Sequence, residues 1–243
     1  MRLPEGIVPP SISDIIAKGI MVENEFARLP AEIVARATQL ATSTLANALD
    51  DAGFHDRVLT TLKAVSPGMR FTGPAMTVRE ITAEFGTFTS ADFRIGAIID
   101  AAQAGDVVVI DMDGAKCSTW GGMASLAAKE KGVGGLLVDG GVRDLEEMIE
   151  FGFPVFARHL VPTTGRTRLK VEAINETVSV DGVIVEPGDL IVADGSGVVC
   201  LPRAEAVVLV SRAEEMQRDD EAAVAAIKNG LSFSDAMKKF TRI

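Results

Sequence analysis

Two short segments hold the residue types best suited to chemistry. Trp120-Gly121-Gly122-Met123 is followed, after an apolar helical stretch and a strand-like one, by Asp139-Gly140-Gly141-Val142-Arg143-Asp144. A glycine pair ahead of a helix leaves backbone N–H groups without partners and able to receive an anion. The adjacent arginine and aspartate divide two further tasks. A planar guanidinium can grip a carboxylate through two hydrogen bonds, and a carboxylate can hold Mg²⁺ or Mn²⁺. Such a set suits an enzyme acting on a small oxo-acid. Each part also has a plainer reading, since glycines commonly precede helices and Asp144 could simply cap the helix that follows. The balance shifts because the preceding strand is expected to end at Asp139, and ligands of α/β proteins gather at the loops after parallel strands. Asp111 and Asp113 follow another strand, where they could serve a cation or form a solvated rim.

The elements that must position these residues alternate along the chain. Residues 1–30 carry Pro4, Pro9, Pro10 and Pro30 and read as an arm, with a short amphipathic helix over 12–18. Helical spacing runs over 31–53, broken near Thr42-Ser43-Thr44, with Ser43 or Thr44 as the expected N-cap of a helix over 45–52. A strand over 75–80, a helix over 91–104 and the β-branched run Val107-Val108-Val109-Ile110 come next. They lead to a helix over 124–131, a strand over 135–138, a helix over 145–151 and a strand over 155–157. Continuous apolar strands between helices indicate a sheet covered on both faces. Beyond Pro162, short strands over 171–174, 177–180, 183–185, 190–193 and 198–201 are separated by Asp181-Gly182, Pro187-Gly188 and Asp194-Gly195. A long helix over 204–228 and a last one over 233–240 complete an α/β domain spanning 31–243.

Composition removes several function classes. The net charge of −10, with no Lys/Arg-rich run, argues against binding nucleic acid through phosphates. One tryptophan and no tyrosine leave no aromatic platform for bases. No stretch approaches the roughly 20 apolar residues of a membrane span, and no signal peptide opens the chain, so a cytoplasmic protein is expected. Cys117 and Cys200 lie far apart without the spacing of a zinc site and read as reduced thiols. His55 and His159 stand beside no nucleophile motif and read as structural or exposed. No dinucleotide or P-loop fingerprint is present.

Taken together, the motifs resemble the RraA-like superfamily. That group includes the class II 4-hydroxy-4-methyl-2-oxoglutarate/4-carboxy-4-hydroxy-2-oxoadipate aldolases and the regulator of ribonuclease activity A. The landmarks are Ser43-Thr44 with Asn47 and Asp50, Gly73-Pro74-Ala75-Met76-Thr77, Gly105-Asp106-Val107-Val108-Val109, Trp120-Gly121-Gly122 and Asp139 to Asp144. Gly152-Phe153-Pro154-Val155-Phe156, Pro187-Gly188-Asp189 and Asp194-Gly195-Ser196-Gly197 complete the series. The resemblance implies an α/β/β/α swivelling-type sandwich assembled as homotrimers or hexamers, with active sites between subunits. It implies a lyase dependent on Mg²⁺ or Mn²⁺ that releases pyruvate from a 4-hydroxy-2-oxo acid, with oxaloacetate decarboxylation as a side activity. Arg143 would bind the pyruvoyl group, Asp144 the metal, and the amides of Gly121, Gly122, Met123 and Ala124 the carboxylate. Glu221 of a neighbouring subunit would orient water. In one respect the chain departs from the aldolases. Counting back across twenty residues from Arg143 places Gly122 where they carry an acid, leaving Asp111 or Asp113 as candidates to replace it. The competing implication is a non-catalytic, protein-binding regulator.

Overall fold

Strands with apolar side chains on both faces require a covering layer on each side. The computed structural model describes residues 21–22 and 26–240; the helix expected over 12–18 lies outside the described residues. The strands are β1 (Met21–Val22), β2 (Val58–Leu59), β3 (Lys63–Ala64), β4 (Phe71–Thr82), β5 (Val107–Asp111), β6 (Ser118–Trp120) and β7 (Gly135–Val142). They continue as β8 (Val155–Leu160), β9 (Leu169–Ile174), β10 (Val178–Val180), β11 (Val183–Val185), β12 (Leu190–Asp194) and β13 (Gly197–Leu201). The helices are α1 (Ala31–Thr38), α2 (Thr42–Asp51), α3 (Ile95–Ala101), α4 (Gly122–Glu130), α5 (Leu145–Phe151), α6 (Ala206–Lys228) and α7 (Phe233–Lys239).

The main sheet runs β2-β13-β12-β4-β5-β7-β8-β3, with β9 beside β4 and β6 beside β7, while β10 and β11 form a separate hairpin. The long β4 is the joint. Its residues 71–74 pair with β12, and its residues 75–82 pair with β5 and β9. Period-two alternation then sorts side chains into three cores. Val108 and Ile110 meet Trp120, Met148 and Phe153 beneath α3, α4 and α5. Val107 and Val109 face the opposite way, onto Ile191, Ala193 and the hairpin valines Val178, Val180, Val183 and Val185. Leu190, Val192, Val199 and Leu201 turn outward to Leu45, Leu49, Leu209 and Val210 of α2 and α6. Helix, sheet, sheet, helix is the α/β/β/α sandwich that the resemblance implies.

Three local expectations are corrected. The strand expected to end at Asp139 continues as β7 to Val142, and Gly140-Gly141 lies within it rather than in a turn. A Cβ on Gly140 would strike the Met112 side chain and one on Gly141 the Cys117 carbonyl, so these glycines admit a neighbouring segment. Helix α2 begins at Thr42, before both expected caps. Asp194, at the turn between β12 and β13, serves as the cap by accepting from the Thr42 amide at 2.9 Å and hydroxyl at 2.6 Å. The helix expected over 91–104 is confined to α3, and its start follows an irregular segment that carries Phe93 to the site.

Candidate active site

The site stands where β6 and β7 run out side by side, with Ser118 opposite Gly141 and Trp120 opposite Val142. The Trp120 carbonyl accepts from the Ser118 hydroxyl at 2.8 Å and the Arg143 amide at 3.0 Å, tying the two strand ends together. The buried indole stacks on Phe153 with ring centroids 6.5 Å apart and donates to Ser125 Oγ at 3.2 Å. Ser125 Oγ in turn donates to the Gly121 carbonyl at 3.0 Å, fixing the turn that starts α4.

Beyond this scaffold opens a cavity of about 280 Å³. Gly121, Gly122, Met123 and Ala124 form one wall, Arg143, Asp144 and Glu147 another, and Phe93, Ile95, Ser118, Thr119 and Trp120 the remainder. The first amides of α4 have no carbonyl of their own helix to bond. Asp144 precedes α5 in the left-handed region, at φ 61 and ψ 48, and makes no side-chain capping bond, which corrects the capping reading. Its Oδ2 instead accepts from the Gly122 amide at 3.2 Å and lies 3.5 Å from Arg143 Nε. A non-glycine residue held there costs on the order of 1–3 kcal/mol, a strain more common at functional sites than elsewhere. The glycine pair answers a packing demand. A Cβ on Gly121 would strike the Asp144 carboxylate, and one on Gly122 would overlap the Glu147 carboxylate. The Arg143 and Asp144 side chains remain 44% and 39% exposed, so both can meet a ligand. Asp144 and Glu147 bring two carboxylates to the rim beside the Arg143 guanidinium. No group of three or more His, Cys, Asp or Glu side chains that could hold a metal ion occurs among the described residues. Mg²⁺ or Mn²⁺ held here would take one or two carboxylates and keep waters for the rest.

A family model described as RraA-like, Aldolase/RraA, matches residues 42–200. The chain belongs to this RraA-like family. It is 32% identical over 207 residues to an uncharacterized protein of Methanocaldococcus jannaschii, covering 84% of this chain and 95% of that one. A putative 4-hydroxy-4-methyl-2-oxoglutarate aldolase of Halalkalibacterium halodurans is 30% identical over 193 residues, covering 79% of this chain and 87% of the relative. Among solved structures, an uncharacterized protein from Pseudomonas syringae pv. tomato superposes with a TM-score of 0.80 at 28% identity, covering 89% of this chain and 98% of its own. Streptomyces coelicolor RraAS2, described as an unusual member of the RNase ES inhibitor RraA family, gives 0.73 at 28% identity, covering 82% and 98%. The family thus contains proteins named as aldolases and proteins named as ribonuclease inhibitors.

Within this RraA-like chain, the other candidates disperse. Asp111 and Asp113 do not line the cavity. Burial pushes the Asp111 carboxyl up, and it accepts from the Asp113 amide at 3.0 Å and the Ser179 amide at 3.4 Å, toward the hairpin. Asp139 is buried and bound to Arg158. Glu221 lies on α6, where it accepts from Gln217 Nε2 at 2.9 Å and borders a separate hollow with Arg36 and Glu214. Within one chain it is not brought to Asp144. His55 pairs with Asp50 on the surface, His159 lies 3.2 Å from the Gly114 carbonyl, and both cysteines are free and buried. No helix among the described residues is long and apolar enough to cross a membrane.

Sequence reasoning passed over Glu147, Thr119, Phe93 and Ile95. The signal for Glu147 was available: a carboxylate three residues beyond Asp144, at the start of a helix, shares a face with it. Nothing local marks Thr119 or the aromatic and aliphatic walls.

Proposed function

We propose that this protein is a divalent-metal-dependent lyase of 2-oxo acids, releasing pyruvate from a 4-hydroxy-2-oxo acid. One observation carries the reading: Arg143, a strained Asp144, Glu147 and the free amides of α4 converge on one small cavity. A volume of about 280 Å³ fits a small acid better than a nucleotide or a polymer.

Retro-aldol cleavage requires loss of the 4-hydroxyl proton, rupture of the C3–C4 bond, and passage of its electrons into the pyruvate carbonyl as an enolate. Arg143, permanently charged, pairs with the carboxylate and the developing oxygen charge. The amides of Met123 and Ala124 add donors that need no reorganisation. Glu147 faces the same space and is suited to accept the hydroxyl proton or orient water, the task first considered for Asp111 or Asp113. Held by Asp144, Mg²⁺ or Mn²⁺ would supply Lewis-acid stabilisation of the enolate oxygen. Loss of CO₂ from oxaloacetate leaves the same enolate and uses the same groups.

Homotrimers or hexamers with shared sites belong to this reading. Its support is that Met123, in the cavity wall, and Leu160, in a neighbouring hollow that also includes Arg143 and Asp144, are apolar yet 86% and 51% exposed. Glu221 of a neighbouring subunit would then orient water. Light scattering should give a trimer or hexamer, and a monomer would remove Glu221 from the mechanism.

The deciding experiment incubates purified protein with Mg²⁺ or Mn²⁺ and a panel of 4-hydroxy-2-oxo acids and oxaloacetate, coupled to pyruvate detection. Turnover absent in Asp144→Ala is expected; no turnover above that control refutes the reading. The second reading, a protein-binding regulator, is favoured by Gly122 in place of an acid and by the likeness to a protein described as a ribonuclease inhibitor. Capture of ribonuclease E without any pyruvate formation would select it.

A further inference from the structure

Ten buried polar or charged side chains occur among the described residues, and Glu80 is the only glutamate in that set, at 4% exposure. The buried aspartates are compensated. Asp106 receives both Nε and Nη2 of Arg28, Asp139 receives Arg158, and Asp189 accepts from the amides of Glu186 and Arg203. Glu80 has one partner, the Thr119 hydroxyl, 2.8 Å from its Oε1. Its Oε2 is enclosed and bonds to nothing. A buried carboxylate lacking both a cation and a full set of donors is costly, so burial pushes this carboxyl up to about 7 despite the Thr119 bond.

The surroundings do not offset that cost. Across the ladder from Glu80 is Val171, while Lys170 and Glu172 of β9 alternate outward. Arg79, the preceding residue, donates to the Thr177 carbonyl. Arg168 donates to the Thr164 carbonyl and stacks on Phe85. Cys117 is a further titratable neighbour, its thiol raised by burial and then by the charge of Glu80. Thr119 belongs to the wall of the cavity already described, one residue before Trp120. Thr119, almost fully buried, therefore stands between an isolated acid on β4 and the wall of the space where the enolate would form.

We propose that Glu80 and Thr119 form a proton relay, with the buried carboxylic acid as its inner end and the cavity-lining hydroxyl as its outer end. The inference rests on the lyase reading for its substrate. With Glu80 protonated, its O–H donates to Thr119 Oγ, and the threonine proton is free to point into the cavity. In the step itself the Thr119 O–H bond breaks as a C–H bond forms at the enolate carbon, and the Glu80 proton passes to Thr119 Oγ. Glu80 is left as a carboxylate and recovers a proton from water through the same hydroxyl. No electrons are gained or lost by the protein.

The test follows exchange of pyruvate methyl hydrogens with deuterium oxide by NMR, a reaction that needs enolate formation and reprotonation but no carbon–carbon cleavage. Wild-type exchange should rise as pH rises through about 7, because the relay that protonates the enolate must first, with Glu80 as a carboxylate, take the proton from the pyruvate methyl group. Glu80→Gln and Thr119→Val should each slow exchange by at least about tenfold with little change in half-saturation, and abolish that limb. Thr119→Ser should retain it. Infrared titration without ligand should show a protonated carboxyl stretch that disappears near neutral pH and is missing in Glu80→Gln. Unchanged exchange and pH profile in Glu80→Gln, absence of the infrared band, or absence of wild-type exchange would each overturn the relay. Relay-dependent exchange without cleavage of any oxo-acid would instead refute the lyase reading and leave the relay standing.

Discussion

Two arginine–aspartate groupings involve β7, one through Asp139 within the strand and one at Arg143-Asp144 just after it, and the same chemistry serves them differently. In the first, Arg158 spans Asp139 at 2.5 Å and Asp181 at 3.0 Å. Asp139 Oδ2 also accepts from the Asp181 amide at 2.7 Å, and Asp181 receives the Thr60 and Thr61 amides at 2.7 and 2.9 Å. Burial raises the Asp181 carboxyl, but the Thr61, Thr60 and Arg158 bonds more than offset it and hold the group low. In the second grouping, Arg143 and Asp144 approach only to 3.5 Å, both remain solvent-accessible, and Asp144 occupies a strained backbone conformation. Saturated ion pairs anchor a hairpin to a sheet. Unsaturated ones leave valences for a ligand.

Breaking the first grouping should produce the largest change in stability. Arg158→Ala leaves Asp139 buried without its cation and should cost about 3–5 kcal/mol in urea unfolding. Turnover per folded molecule should stay near wild type. Breaking the second should do the reverse. Arg143→Ala should lower pyruvate release by on the order of 10²–10³, equivalent to about 2.7–4 kcal/mol of barrier, with the unfolding midpoint nearly unchanged. If the two variants lose stability equally, the distinction between anchor and site collapses.

Glu80 sharpens the comparison, being an acid with neither a cation nor a complete set of hydrogen bonds. Its carboxyl ionises near the usual carboxylate value when unfolded but only at about 7 when folded, so folding takes up a proton between those pH values. Stability from this group therefore declines as pH rises from about 4.5 to 7. Glu80→Gln should be more stable than wild type at pH 8 by up to roughly 3 kcal/mol, with the advantage vanishing near pH 4. Thermal melts across that range measure it. The smallest change in stability is expected at Asp144. Asp144→Gly relieves the left-handed strain and should raise stability by about 1 kcal/mol while eliminating turnover, a trade absent at Arg158.

How far the sequence carried this picture depended on whether a feature was local. The runs in β5 and β7 announced strands buried on two faces, and α5 lies over the residues expected of it, Leu145–Phe151. The glycine pairs were visible but ambiguous. Gly121-Gly122 does open a helix, as its N-cap and first residue, whereas Gly140-Gly141 is strand, with Met112 and Cys117 packed against it from another segment. From the sequence, the strand ahead of Arg143 is expected to end at Asp139. The strand continues past Asp139 and assigns it to Arg158, nineteen residues onward.

By itself the sequence determined the layered α/β architecture and the adjacency of Arg143 and Asp144, since periodicity and covalent neighbours are written in the chain. Tertiary structure alone decided which further groups face that pair. Glu147 fills the space left by Gly122, Thr119 reaches the cavity from β6, and Glu80 lies behind it on β4. One strand's pattern records which of its faces are buried, but not which acid, 39 residues away, the fold will set against it.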